Sequence, residues 1–229
     1  MIQAEPPVAL PISALIAALA VALQPMAAGS AWAGPDQVVL IRHGHKDRPR
    51  PEKPIDYNLS ETGLLQSLQL GRMIPACLQA GRPLHLGSYG FEAASGKNAR
   101  SYQTLVPLAV ATGANITVFP EADRDSEALG LQIRRQSRYD GGVLVLAWEH
   151  RHLPLLAAGL GWAGMPPVDD DDFDSLWVLR YGPDGGFSGV EVLSQRQLES
   201  RACYRSPAAQ RDPLMRVVQR LINGAGPGR

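Results

Sequence analysis

The sequence predicts an α/β fold, a three-layer α/β/α sandwich around a mostly parallel sheet. Three observations carry that expectation. The runs Val38-Val39-Leu40-Ile41 and Val143-Leu144-Val145-Leu146-Ala147-Trp148 are continuously apolar, as strands covered on both faces are. Each opens directly into polar residues that include a histidine, Arg42-His43-Gly44 after the first and Glu149-His150-Arg151-His152 after the second. Capped helical patterns lie between the apolar runs. Ligand sites of such sheets form outside the carboxyl ends of the strands. Two strand ends that each deliver a histidine therefore mark a candidate site.

After Gly44, which lets the chain turn close to a bound group, comes His45-Lys46-Asp47-Arg48-Pro49-Arg50-Pro51. Its prolines exclude a helix, and its cations are either attractors of an anion or ordinary solvated charges. Ser60 reads as the N-cap of a first helix with Leu64, Leu65, Leu68 and Met73 as its apolar stripe, running to about Leu78 and closed by Gly81. Leu84 to Ser88 reads as a second strand, in which His85 alternates with leucines as a core or edge histidine rather than a ligand. Ser95-Gly96-Lys97-Asn98 then forms a polar turn before a helix that reaches about Ala111 and is closed by Gly113. The free N–H groups of such a turn suit an anion, and Arg100 lies in the first turns of the helix.

Ile116 to Phe119 reads as a third strand, ending at Pro120-Glu121-Ala122-Asp123, and Ser126 to Arg138 as a helix weakened by Gly130. Leu153 to Gly159 is helical after the His150 strand. The acidic run Asp169 to Asp172 reads as a solvated loop before a helix, since consecutive acids point in different directions and suit a metal poorly. Asp174–Tyr181 and a strand near Val190–Leu193 form a hairpin around Gly182-Pro183-Asp184-Gly185-Gly186. A short helix is expected at Leu214–Ile222, before a frayed end.

Length and charge bound the function. The 229 residues suffice for one domain with a substantial core, and residues 34–229 read as a single one. Hydrophobic residues make up 45% and charged residues 19%, ordinary globular proportions. The 22 basic and 22 acidic residues cancel, which argues against a nucleic-acid binder relying on bulk charge; an anion site must be a local cluster of Arg and His. Residues 1–33 stand apart. Val8 to Leu23 is almost wholly apolar and uncharged, and a small-residue stretch ends at Ala31-Trp32-Ala33, the pattern of a secretory signal cleaved before Gly34. That predicts an exported, periplasmic or secreted protein. The alternative is an uncleaved membrane anchor, against which stand the short run and Pro11; the missing basic residues before the run count against the signal. Cys77 and Cys203 are either a disulfide in an oxidising compartment or two separate buried thiols.

Four segments, taken in order, resemble the histidine phosphatase superfamily, whose fold is called phosphoglycerate-mutase-like. They are Leu40-Ile41-Arg42-His43-Gly44, Asn58-Leu59-Ser60-Glu61-Thr62-Gly63, the Ser95–Thr104 element with its Arg-x-x-Gln-Thr ending, and Val143 to His150. The resemblance spans about residues 37–165. It implies a phosphatase in which His43 is a nucleophile that is phosphorylated and then hydrolysed, with the phosphoryl oxygens held by Arg42, Arg100 and His150. The chemistry agrees with those residue types. An attacking imidazole must be neutral, and the positive field of Arg42 and Arg100 disfavours its protonated form. No metal and no organic cofactor is implied. The proton donor for the leaving oxygen is open among Glu121, Asp123 and Glu149. Glu121 is favoured because the mutase branch places its glutamate after the third strand, whereas Arg151 stands where the acid-phosphatase branch has an aspartate.

The loop after Gly44 has His45-Lys46-Asp47 in place of the mutases' Thr-x-x-Asn, which favours a phosphatase over a mutase. The expected reaction is hydrolysis of a phosphomonoester whose identity the sequence does not fix, carried by a small molecule or a phosphoprotein. A dedicated phosphohistidine or other phosphoprotein phosphatase and a non-catalytic phosphate-binding module are the alternatives. Specificity is expected in the loops Arg48–Tyr57, Glu121–Arg138 and Pro166–Asp174.

Overall fold

A computed structural model describes residues 33–47 and 56–206. The N-terminal apolar segment, most of the proline-and-base loop and the helix expected at Leu214–Ile222 lie outside those residues. In chain order the elements are β1 (Gln37–Arg42), α1 (Glu61–Ile74), β2 (Leu84–Tyr89), α2 (Ala99–Thr112), β3 (Ile116–Phe119), α3 (Ser126–Arg134), β4 (Val143–Trp148), α4 (Leu153–Gly159), β5 (Ser175–Tyr181), β6 (Phe187–Ser194), α5 (Gln195–Ser200) and α6 (Ala202–Arg205). The strands form one six-stranded sheet in the order β3-β2-β4-β1-β5-β6. The first four are mutually parallel, and β5 and β6 run antiparallel at one side.

Every residue of β1 and β4 is buried, as their apolar continuity predicts. Alternation then sorts them into two cores. Val38, Leu40, Leu144, Leu146 and Trp148 pack beneath α3 and α4, while Val39, Ile41, Val143, Val145 and Ala147 pack beneath α1, α2 and α5. The sheet is thus the middle layer of three. The hairpin of β5 and β6 is as expected, turned by a Gly182–Gly186 loop in which Gly185 takes a positive φ of 72°.

The stripe on α1 differs from the expectation. Leu64 is 50% and Leu65 38% exposed, whereas Gly63, Ser67, Leu70, Gly71, Met73 and Ile74 are buried. The helix is phased by its small residues: a Cβ on Gly71 would meet the Pro107 backbone of α2 at 3.1 Å. Close helix approach there outweighs burial of the two leucines. Regular α-geometry stops at Ile74, and Pro75–Gln79 continues as a single π-type turn. Pro75 has no N–H to give to the helical ladder. Cys77 of that turn is bonded to Cys203 of α6, so the two cysteines form a disulfide closing 126 residues. Helix α3 ends at Arg134 rather than Arg138, and α5, with its Ser194–Gln197 capping box, was not expected. The acidic run leads into strand β5, not into a helix.

The first turn of α1 is fitted against the segment that follows β1. The Ser60 N–H donates to the His45 carbonyl at 3.0 Å, and the Ser60 hydroxyl accepts from the Gly63 N–H. A Cβ on Gly63 would fall 2.1 Å from the His45 carbonyl oxygen, which is backbone and cannot swing aside. Gly63→Ala is expected to destabilise the fold by about 2 kcal/mol, the scale of an overpacked site, in urea unfolding; an unchanged midpoint would contradict this packing.

Candidate active site

Strands β1 and β4 are neighbours in register, Arg42 opposite Trp148, and the His43 N–H donates to the Trp148 carbonyl at 3.2 Å. The chain therefore leaves the sheet at one edge twice, once with His43 and once with Glu149-His150. A polar pocket of about 310 Å³ opens there, walled by His43, Lys46, Glu149, His150 and Arg151 from these two strand ends, by Asn98, Arg100 and Ser101 at the start of α2, and by Asp170. That is the small end of ligand-site sizes, room for a tetrahedral anion and part of what it is attached to.

His43 is buried, and its Nδ1 lies 2.8 Å from the Gly44 carbonyl oxygen. A carbonyl only accepts, so Nδ1 carries the ring proton and Nε2 keeps a lone pair. Burial, with Arg42, Arg100 and Lys46 nearby, pushes the imidazole pKa down to about 3 against the opposing pull of the Gly44 hydrogen bond. The ring is neutral at any physiological pH, with one nitrogen fixed as donor and the other left as a base or nucleophile.

Arg42 is 4% exposed and has no direct carboxylate partner among the described residues. Its Nη1 donates to the backbone carbonyls of Asp169 (2.9 Å), Asp170 (2.7 Å) and Asp172 (3.1 Å), and its guanidinium lies 3.9 Å over the Phe173 ring. Burial lowers its pKa, and the charges of Asp170, Glu149, Asp172 and Asp171 oppose that shift. Its Nε and Nη2 are buried with no hydrogen-bond partner among the described residues. Such N–H groups are costly unless an acceptor arrives.

Helix α2 explains the spacing of Arg-x-x-Gln-Thr. Residues 100, 103 and 104 share one helical face, and each holds a different part of the site. The Arg100 Nε donates to the Asn58 carbonyl at 2.9 Å and its Nη2 to the Asp56 carbonyl. The Gln103 side chain accepts from the Leu59 N–H at 3.0 Å and donates to the Asn58 side chain at 2.8 Å. The Thr104 hydroxyl accepts the Gly44 N–H at 2.8 Å. Burial lowers the Arg100 pKa, with Asp56 and Tyr57 acting the other way. Lys46 is lowered by burial, then by Arg42 and Arg100.

The second histidine stands between two acids. His150 Nε2 is 2.5 Å from Asp170 Oδ1, and its Nδ1 is 2.8 Å from Glu149 Oε1 without the alignment of a hydrogen bond. Burial lowers its pKa, Glu149 and Asp170 raise it, and Arg42 lowers it. Glu149 also accepts the Arg151 N–H at 2.9 Å and the Arg151 Nε at 3.1 Å.

Of the residues expected at the site, His43, Arg100, His150 and Glu149 line the pocket, and Arg42 does not, though its Nη1 donates to the carbonyl of the lining residue Asp170. Glu121 does not line it either. Pro120 starts a 3₁₀ turn that buries Ala122 and turns Glu121 to solvent, away from the pocket wall. Asp123, on the same turn, accepts the Tyr89 hydroxyl at 2.6 Å, the main cause of its lowered pKa. His85 packs edge-on against Tyr139 outside the pocket, as an edge histidine. Asn98 belongs to the polar turn expected to suit an anion and Phe173 to a loop expected to set specificity; sequence reasoning did not single out Ser101 or Phe173 as site residues, and it set aside Asp170 as one of four consecutive acids. Among the described residues no group of three or more His, Cys, Asp and Glu side chains is arranged to hold a metal.

A depressed pKa means that the neutral form persists as pH falls. The ring resonances of His43 are expected to stay flat from pH 8 to about 5 in a histidine NMR titration, where an unperturbed imidazole would be half protonated near about 6.5. A midpoint near that ordinary value would contradict the buried, cation-flanked setting.

No protein-family model matches the sequence, and no curated protein matches it. Solved structures do resemble the fold. The protein histidine phosphatase SixA, solved with tungstate, aligns with a TM-score of 0.50 at 18% identity, over 71% of this chain and 99% of SixA. A protein described as a phosphohistidine phosphatase SixA from Agrobacterium tumefaciens aligns at 0.43 and 21% identity, over 70% of this chain and 98% of that one. The α-ribazole phosphatase from Shigella flexneri aligns at 0.40 and 15% identity, over 69% of this chain and 96% of that one. The chain has the phosphoglycerate-mutase-like fold seen in the SixA structure.

Proposed function

We propose that the protein is a phosphomonoester hydrolase working through a phosphohistidine at His43. The observation that carries this reading is a buried neutral imidazole whose Nε2 is unprotonated, placed among cations in a pocket sized for a small anion. His43 Nε2 attacks phosphorus and the bond to the leaving oxygen breaks. Arg42 offers the unpartnered N–H groups of Nε and Nη2, with Arg100 and His150, to the phosphoryl oxygens, whose charge these fixed donors stabilise in the transition state. Of the three carboxyl groups weighed for the proton, Glu149 alone lines the pocket, so the leaving oxygen takes its proton from Glu149. Water then attacks the phosphohistidine, returns a proton to Glu149 and releases orthophosphate. Among relatives in fold, SixA was solved with tungstate, a tetrahedral oxyanion of the kind this site would hold.

A phosphoprotein substrate is the second reading. It is favoured by the small pocket, which would enclose a phosphoryl group and leave the rest of a substrate outside, and by the name of SixA itself. Export fits the apolar N-terminal segment and the Cys77–Cys203 disulfide, which an oxidising compartment preserves.

The test is hydrolysis of phosphate esters without added metal by the chain from Gly34 and its variants. His43→Ala is expected to abolish turnover. Glu149→Gln is expected to slow alkyl phosphates about 100-fold and aryl phosphates, whose leaving groups need little protonation, far less. Full activity in His43→Ala would remove the reading. Equal losses on the two ester classes would remove Glu149 as the donor. Phosphate binding without turnover in the unaltered chain would select the binding-module alternative, and turnover of phosphohistidine peptide in preference to esters would select the second reading.

A further inference from the structure

The pocket already contains an anion of its own. Asp170 extends a carboxylate oxygen to 2.5 Å from the Nε2 of His150, a residue assigned above to the phosphoryl oxygens. The loop that carries it is held independently of that contact. Arg42 Nη1 grips the carbonyls of Asp169, Asp170 and Asp172, the Asp171 N–H donates to Asp169 Oδ1 at 2.8 Å, and Asp172 Oδ1 accepts the Asp174 and Ser175 N–H groups at 3.0 Å each. The Asp170 side chain itself is 85% exposed. It can therefore leave His150 by rotating about its own bonds while the loop stays in place.

We propose that Asp170 is a resident competitor that sets a charge threshold for ligands of this site. The proposal rests on the phosphoryl-binding reading given above. A ligand that needs His150 must displace a carboxylate. An incoming monoanion, such as a phosphodiester or a carboxylate, exchanges one charge for another and gains little. A phosphomonoester dianion brings a second charge and further oxygens, which meet the unpartnered Nε and Nη2 of Arg42 and the guanidinium of Arg100. Asp170 thus favours monoesters over diesters without touching the ester group. It also occupies the His150 N–H of the empty site, which would otherwise be a buried donor without an acceptor.

The test is calorimetric binding of orthophosphate and of dimethyl phosphate near neutral pH to the unaltered chain, Asp170→Asn and Asp170→Ala. Both variants keep the backbone carbonyls that Arg42 uses, and thermal unfolding checks that the fold is retained. Orthophosphate is expected to bind both variants about tenfold more tightly, the scale of one charge-assisted hydrogen bond freed for the ligand. Dimethyl phosphate, undetectable with the unaltered chain, is expected to bind measurably. The gain should persist in about 0.5 M KCl, where interactions between separated exposed charges are screened. A gain that vanishes in salt would mean only distant charge repulsion and would overturn the proposal. Unchanged or weaker orthophosphate binding would overturn it while leaving the phosphate-site reading intact. Orthophosphate bound by none of the three proteins would overturn both.

Discussion

The site depends on a buried positive charge that no carboxylate among the described residues directly neutralises. Arg42 is taken out of water at the end of the central strand, and the groups that satisfy its Nη1 are backbone carbonyls of the loop before β5. Carbonyl dipoles stabilise the guanidinium without cancelling its charge, and the surrounding acids compensate from a greater distance. A residual positive field follows. That field helps keep His43 neutral and gives an incoming anion a reason to enter. Had Arg42 met a carboxylate in a bidentate pair, the field and two of its free donors would have been spent within the protein.

The rest of the architecture brings soft parts to this hard point. The parallel pairing of β1 with β4 places two histidines at one sheet edge. Helix α2 then pins two loop segments through three side chains on one face: Arg100 and Gln103 to the 56–59 segment, and Thr104 to Gly44. Helix α1 closes on the same segment with a glycine where any side chain would collide with the His45 carbonyl. The geometry of His43 is thus set largely by backbone hydrogen bonds and close helix approach. The Nε and Nη2 of Arg42 are left without a partner among the described residues.

What could be read from the sequence follows from the range of each interaction. The strands were legible because continuous apolar runs need no partner to identify them, and His43 and His150 followed because each sits directly after such a run. Arg100 was legible from its place at a helix start. The burial of α1 was not, because hydrophobicity picked Leu64 and Leu65 while the packing is phased by Gly63, Ser67 and Gly71. Nor was the acidic loop. Asp170 looks like one of four equivalent acids until Arg42, 128 residues away, fixes the loop against His150. Glu121 and Glu149 could not be ranked for the same reason: the direction a carboxylate takes after a strand is decided by the turn, and the 3₁₀ turn at Pro120 sends Glu121 outward.

The central claim is that His43 Nε2 is the atom that receives the phosphoryl group. The most direct measurement is rapid alkaline quench of the chain from Gly34 during turnover of a phosphorus-labelled aryl phosphate, followed by peptide mapping. The account predicts an acid-labile, base-stable phosphate on the peptide containing His43, attached through Nε2 because Nδ1 is committed to the Gly44 carbonyl. Turnover with no trapped phosphohistidine, or a label on His150 or on a carboxylate, would contradict it.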